Sequence, residues 1–170
     1  MKYLLLICLL YTVLSAIVKQ MDKVPIKELE LTKVDETFKK AVELDNPNAD
    51  ISSLKLLNVY KDTVIENNYR MSFIDTNNKI KAVQEYLITD SSTPPQKKTY
   101  LPTVGFNVKP KILTKIKNLI SKYINPNENL KIEMITTPLD YIYMAVTNSK
   151  TYIVSQNRKN LEFEYLGTLN

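Results

Sequence analysis

The sequence predicts an α+β protein in which a helix packs on a curved antiparallel sheet, and it predicts that this plan is duplicated. Apolar residues at helical spacing form a stripe over 34–44 and again over 112–123. Alternating apolar and polar residues, which are typical of half-buried strands, follow each stripe. An Asn-Pro-Asn sequence ends each predicted helix, at 46–48 and at 125–127, because proline restricts the residue before it.

The N-terminus, residues 1–16, has the pattern of a secretory signal peptide. Tyr3–Leu14 is an almost unbroken apolar run, and the small residues Ser15 and Ala16 follow it, where cleavage is expected. A membrane anchor is the alternative, but it needs about 20 apolar residues, and Lys19 interrupts the run earlier. We therefore expect a secreted protein that has no stable membrane anchor.

The predicted mature chain contains neither histidine nor cysteine, two side chains that enzymes often use as base and nucleophile. Histidine is absent from the sequence, and the one cysteine, Cys8, lies in the predicted signal peptide. The usual nucleophile–base pairs and the commonest metal ligands are therefore missing. We expect a protein that is not an enzyme and that has no cofactor, no metal and no disulfide, so its core alone must stabilise the fold.

The formal net charge is +5, from 23 Lys and Arg against 18 Asp and Glu. The lysines are spread along the whole chain, and only Arg70 and Arg158 are arginines. Proteins that bind nucleic acid usually concentrate arginine and stacking aromatic side chains on a basic face. We interpret the charge as ordinary solubilisation and expect no nucleic-acid partner.

Residues 17–90 are predicted to form the first unit. Thr32 begins its helix, because the threonine hydroxyl can accept a hydrogen bond from the amide of Asp35. A short edge strand is expected before the helix, at Ile26–Leu31. Within Leu54–Val64 the apolar residues change phase, which indicates a β-bulge or burial on both faces. The strands predicted after the helix are Leu54–Val64, Tyr69–Ile74 and Ile80–Ile88.

A connection between two units is predicted over 91–108, where prolines and polar residues are frequent. The second unit, 109–170, starts with a helix in which Pro110 takes the first position, where proline is favoured. The strands expected after that helix are Leu130–Ile135, Tyr141–Val146, Thr151–Ser155 and Leu161–Leu166.

The order of elements supports an internal duplication. The two Asn-Pro-Asn sequences begin at Asn46 and Asn125, 79 positions apart, whereas the strands that open with Tyr69 and Tyr141 begin 72 positions apart. A connection seven residues shorter in the second half accounts for the difference. Coincidence is the alternative, since a helix followed by a meander is a common arrangement.

The residues Phe38–Val42 and the segment Leu54–Tyr69 resemble the cystatins, a superfamily of inhibitors of papain-like cysteine proteases. The resemblance covers about Pro25–Ile88 and extends more weakly through the second half. It implies a cystatin-like fold, and two cystatin-like units in one chain would look like the tandem or latexin-type members of that superfamily. As a partner it implies a papain-like cysteine protease.

The resemblance also implies which residues contact a protease. The first hairpin of the cystatins reads Gln-x-Val-x-Gly, and its backbone blocks the protease cleft. Only the valine of that motif is present here, and glycine, which permits close approach of the backbone, is replaced by glutamate. The matching residues are Asp62, Thr63, Val64, Ile65 and Glu66.

The second hairpin of the cystatins carries Pro-Trp, and a glycine lies in their N-terminal segment. The chain has no tryptophan, and its only glycines are Gly105 and Gly167. The resemblance implies that Pro94 or Pro95 occupies the second loop without an aromatic neighbour.

The hypothesis from the sequence is a secreted cystatin-like protein that inhibits papain-type cysteine proteases by hairpin-loop blockade of the cleft. The alternative is a non-inhibitory secreted protein that uses the same scaffold to bind another protein partner. The altered Gln-x-Val-x-Gly positions favour the alternative. The sequence makes no prediction about the oligomeric state.

Overall fold

The computed structural model describes residues 21–24, 53–65, 68–77, 81–89, 95–125 and 128–169. The chain divides into two compact units between Tyr100 and Leu101, which lies inside the interval predicted to connect them. The predicted signal peptide, the predicted strand Ile26–Leu31 and the predicted first helix, Val34–Leu44, all lie outside the described residues.

The first unit contains an antiparallel sheet of five strands whose spatial order is their order in the chain. Each strand therefore pairs with the strand that follows it, as in a meander. The strands are β1 (Met21–Val24), β2 (Leu54–Asp62), β3 (Tyr69–Asp75), β4 (Val83–Ile88) and β5 (Gln96–Tyr100).

The second unit contains one helix in its described part, α1 (Pro110–Ile120), and an antiparallel sheet of four strands. These strands also pair in chain order. They are β6 (Lys131–Thr136), β7 (Asp140–Val146), β8 (Thr151–Asn157) and β9 (Phe163–Leu169).

The predicted fold class, α+β with a helix packed on a curved antiparallel sheet in a duplicated cystatin-like plan, is wrong. The described residues are mainly β, with nine strands in two sheets against a single helix of 11 residues. The reason is that two segments without an alternating apolar pattern also form strands. The pattern predicts no strand at Met21–Val24 and places Gln96–Tyr100 in the connection 91–108, yet each of these segments adds an outer strand to the first sheet.

Strand β2 contains a bulge, which is one of the two alternatives that its change of phase indicates. The pairing with β3 shifts between Leu56 and Asn58, so Leu57 is the inserted residue, and it is fully buried. Because the inserted residue reverses the alternation, Leu56 before it and Val59 after it pack in the same apolar cluster, around Met71. The bulge therefore keeps both halves of the strand attached to one core.

Helix α1 begins at Pro110 as predicted, because proline needs no amide partner at the first helical position. Ile116 and Ile120 are 0% exposed and pack with Tyr143 and Tyr152 of the sheet. Burying each isoleucine stabilises the unit by roughly 2 kcal/mol. No helix in the described ranges is long and apolar enough to cross a membrane.

The central strands of both units are buried on both faces. In β7, Tyr143 and Ala145 contact the cluster around α1, while Ile142 and Met144 point to the opposite face, and all four are buried. A strand with two buried faces has a nearly continuous apolar sequence instead of an alternating one. This explains why Tyr141–Val146 carries no charged residue.

Candidate functional site

Three segments of the first unit lie at the same end of its sheet. Met21, the first residue of β1, pairs with Asp62, the last residue of β2. Tyr69, the first residue of β3, pairs with Ile88, the last residue of β4, and Gln96 pairs one position earlier on β4. The start of β1, the described residues of the β2–β3 connection (63–65 and 68) and those of the β4–β5 connection (89 and 95) therefore lie at this end of the sheet.

The carboxylate of Asp62 organises the β2–β3 connection. Its Oδ1 accepts hydrogen bonds from the backbone N–H groups of Val64 (2.8 Å) and Ile65 (3.0 Å). Its Oδ2 accepts from the side-chain amide of Asn68 at 3.0 Å, and the Asp62 N–H donates to the Asn68 carbonyl at 2.9 Å. An aspartate that satisfies the amides after it in this way holds a turn in one conformation.

The turn that Asp62 holds presents two apolar side chains to water. Val64 is 77% exposed and Ile65 is 53% exposed, whereas Asp62 itself is 7% exposed. Thr63 is also exposed. Adjacent apolar side chains exposed on an ordered turn are typical of a surface that binds another protein.

The structure places the predicted site residues in two different environments. Asp62, Thr63, Val64 and Ile65 lie together on the β2–β3 connection, with the Asp62 carboxylate directed at the turn. Pro95 lies at the same end of the sheet, directly before β5, but it is buried. Glu66 and Pro94 lie outside the described residues. The β2–β3 connection therefore offers Val64 and Ile65 as apolar contacts. Pro95 is buried, although the resemblance implies a contact residue in this second loop.

A buried ion pair attaches the strands behind these connections. Arg70 on β3 donates to Glu85 Oε1 on β4 at 2.9 Å, and the Tyr100 hydroxyl on β5 lies 3.3 Å from the same oxygen. Glu85 is 2% exposed, so the contacts are shielded from solvent. Burial and then the charge of Glu85 raise the pKa of the Tyr100 phenol well above its usual value. The sequence did not indicate this network, because its members are 15 positions apart.

The corresponding end of the second unit is closed. Arg158 in the β8–β9 connection donates from Nη1 to the Thr137 carbonyl at 3.0 Å, and its N–H donates to the Leu139 carbonyl at 2.9 Å. Its guanidinium lies 5.1 Å from the centre of the Tyr141 ring. Leu139 is 3% exposed. The β6–β7 connection therefore presents no apolar tip like that of Val64 and Ile65.

The β8–β9 connection exposes one apolar residue in a strained conformation. Leu161 is 59% exposed and has φ 60°, which branched residues rarely adopt. Its N–H donates to the Asn157 carbonyl at 2.9 Å, and the Asn157 side chain accepts from the N–H of Lys159 at 2.7 Å. The sequence predicts a strand that begins at Leu161, whereas β9 begins at Phe163 and Leu161 lies before it in a left-handed conformation.

The candidate site can make apolar contacts through Val64 and Ile65, on a turn that the Asp62 carboxylate holds. Within the described ranges, no three acidic side chains converge in a way that could hold a metal ion. Comparison with protein-family models, with curated proteins and with solved structures finds no match for this chain.

Proposed function

We propose that the protein inhibits papain-type cysteine proteases by inserting the β2–β3 connection into the protease cleft. The observation that carries the proposal is the exposed pair Val64 and Ile65, held by the carboxylate of Asp62 at an end of the sheet where two other segments also lie. The resemblance to the cystatins, in which a hairpin tip blocks the cleft, supports the choice of protease.

The energetics favour a tip that is held before binding. Transfer of Val64 and Ile65 from water into a cleft would contribute about 1.5–3 kcal/mol for each side chain if burial is complete. A flexible loop loses much of such a gain to the cost of ordering it. The hydrogen bonds from Asp62 to the two following amides lower that cost, because the turn is ordered in the free protein.

The proposal is tested by titrating papain and a panel of related proteases with the purified protein. We expect competitive inhibition with an inhibition constant of about 1 µM or lower. The double change Val64→Asp and Ile65→Asp should raise that constant at least about 30-fold, because a charged tip must lose water on entering an apolar cleft.

The matched control is the double change Leu101→Asp and Val104→Asp, which places the same two charges on apolar residues that are 62% and 98% exposed in the second unit. This variant should inhibit as well as the unchanged protein. Full papain activity at about 10 µM protein, a concentration at which micromolar inhibitors act, would reject the proposal. Equal weakening by the tip and control variants would reject the assignment of the tip.

A second candidate is a non-inhibitory protein that uses the same tip for another protein partner. The burial of Pro95 favours it, because this candidate for the second cystatin loop is withdrawn from solvent. Cross-linking from position 63 in secretions would identify the partner. Recovery of papain-type proteases alone would count against this candidate. Recovery of another protein by the unchanged chain, but not by the variant with Val64→Asp and Ile65→Asp, would support it.

We also propose that the protein is secreted. The apolar run Tyr3–Leu14 and the absence of cysteine after Cys8 support export without disulfide formation. N-terminal sequencing of protein collected from the medium of expressing cells should begin at or near Ile17. Retention of the whole chain, including Met1, in the cell membrane fraction would contradict secretion.

A further inference from the structure

The positive charge of the mature chain is concentrated in one segment. Residues 17–100 carry 13 basic and 13 acidic residues, so the first unit after the predicted signal is neutral in sum. Residues 101–170 carry 9 basic and 5 acidic residues. Within that unit, 101–127 contains five lysines and no acidic residue, so the excess lies in and beside α1. This distribution differs from the general solubilisation that the composition indicates.

Three of these lysines form a line along the exposed side of the helix. Lys111 and Lys115 are one turn apart on α1, and Lys122 follows at nearly the same angle in the turn after Ser121. All three are exposed. At 1.5 Å per residue the line is about 16 Å long. We call Lys111, Lys115 and Lys122 the lysine line.

The one acidic residue of β9, Glu164, lies away from the lysine line. Phe163 and Tyr165 of β9 pack in the cluster under α1, so the alternation directs Glu164 to the other face of the sheet. The Nζ of Lys115 lies 5.0 Å from the centre of the Phe163 ring, which orients one member of the line without neutralising it. Glu128 is the acidic residue that acts on Tyr152 of this cluster, so the side of the unit that carries α1 has a net positive charge and is not free of acidic groups.

We propose that the lysine line binds a linear polyanion, and specifically a sulfated polysaccharide. A row of cations spaced along a straight helix is complementary to a chain that carries sulfate groups at regular intervals. Pairing with such a chain releases its condensed counterions, which drives binding at low and moderate salt. A secreted protein meets polymers of this class outside the cell.

Two other anionic partners fit the surface less well. Ile116 and Ile120 are buried in the core, so α1 has no free apolar face to insert into a lipid bilayer. The line contains no arginine, whose planar fork recognises nucleic-acid phosphates in pairs of hydrogen bonds. Lysine is a compact, hydrated charge that pairs with an anionic group without a planar or bidentate contact.

The test measures binding of the full protein to a heparin-derived decasaccharide by calorimetry or fluorescence anisotropy at several salt concentrations. We expect binding at about 0.15 M NaCl, with log affinity falling linearly against log salt and a slope of about 3 if three lysines pair. The triple variant Lys111→Gln, Lys115→Gln, Lys122→Gln should bind roughly 100-fold more weakly.

The control is the triple variant Lys131→Gln, Lys150→Gln, Lys159→Gln, which removes the same charge from other sites in the same unit. It should weaken binding by less than about fivefold, and both variants should keep the unfolding temperature of the unchanged protein. Equal losses in the two triples would overturn the proposal, because net charge alone would then explain binding. Stronger line-dependent binding to phosphatidylserine vesicles or to duplex DNA than to the decasaccharide would also overturn it.

Discussion

Asp62 shows how one buried carboxylate can determine what a loop presents. Its side chain is almost wholly withdrawn from solvent and engages the backbone of Val64 and Ile65, so the two apolar side chains are left outside. The sequence made Asp62 a candidate contact residue for a protease. The geometry instead makes it a positioning residue for the residues that follow it.

Replacing Asp62 by alanine should release the turn. We expect a loss of about 2 kcal/mol in the free energy of unfolding, because three donors lose a charged acceptor. Asp62→Asn, which keeps an acceptor for the two amides, should lose less. Urea unfolding and hydrogen exchange at the Val64 amide measure the two effects. Asp75→Ala, which removes one exposed bond to the Asn77 amide, is the matched control and should cost under about 1 kcal/mol.

Leu161 stores strain that glycine would remove. A left-handed conformation costs an L-residue about 1–2 kcal/mol, and only part of that is offset by the larger unfolded-state entropy of glycine. Leu161→Gly should therefore raise the unfolding free energy by about 0.5–1 kcal/mol in thermal or urea unfolding. Val104→Gly, at an exposed position without a left-handed backbone, should lower it. A lower free energy of unfolding in Leu161→Gly would contradict the claim that the backbone at Leu161 is strained.

Among the elements, α1 combines two roles on two faces. Its apolar face fills the cluster around Tyr143, and its opposite face carries the lysine line. The bulge in β2 also decides which face a residue takes. Leu56 and Val59 pack in one cluster only because the inserted residue Leu57 lies between them. Local geometry thus decides which residues of an element meet the core.

The attachment of α1 should depend on Ile116. Ile116→Ala should lower the free energy of unfolding by about 2–4 kcal/mol, because the cavity under the helix cannot collapse against the sheet. The neighbouring change Lys117→Ala, at an exposed position, should alter it by less than about 0.5 kcal/mol. Urea unfolding followed by circular dichroism compares the two. Similar losses of unfolding free energy in the two variants would show that the attachment of α1 does not depend on the burial of Ile116.

At the scale of the whole molecule, buried tyrosines contribute to the described core beside aliphatic side chains. No cysteine follows Cys8, and eleven residues are tyrosines. Tyr143 lies 2% exposed beneath α1 and donates from its hydroxyl to Gln156 Oε1 at 3.0 Å. Burial, and then the neighbouring Tyr141, raise the pKa of Tyr143 to about 12.

This raised pKa predicts loss of stability at high pH. The unfolded phenol ionises near pH 10 while the folded phenol of Tyr143 stays neutral to about 12. The stabilising contribution is therefore complete below about pH 10 and is lost as the pH rises towards 12. Unfolding free energies measured from pH 8 to 12 should fall, and less steeply in Tyr143→Phe. The control Tyr123→Phe, at a residue that is 54% exposed, should follow the unchanged protein.

The sequence by itself determined the elements that depend on local periodicity. Strands β2, β3 and β6 to β8 and the start of α1 at Pro110 follow from alternation and the fixed φ of proline, whereas the change of phase in β2 left a bulge and burial on both faces open. The break between β2 and β3 was likewise visible between two such patterns, although the predicted strand ran to Val64 and β2 ends at Asp62.

Only the tertiary structure decided the features that need a neighbour from elsewhere in the chain. Strand β5 has four exposed residues and no apolar alternation, so its conformation comes from hydrogen bonds to β4, and the same pairing accompanies the burial of Pro95. The direction of the Asp62 carboxylate and the left-handed Leu161 depend on loop closure by residues several positions away. Such contacts have no period, and a pattern of single residues cannot encode them before the strands meet.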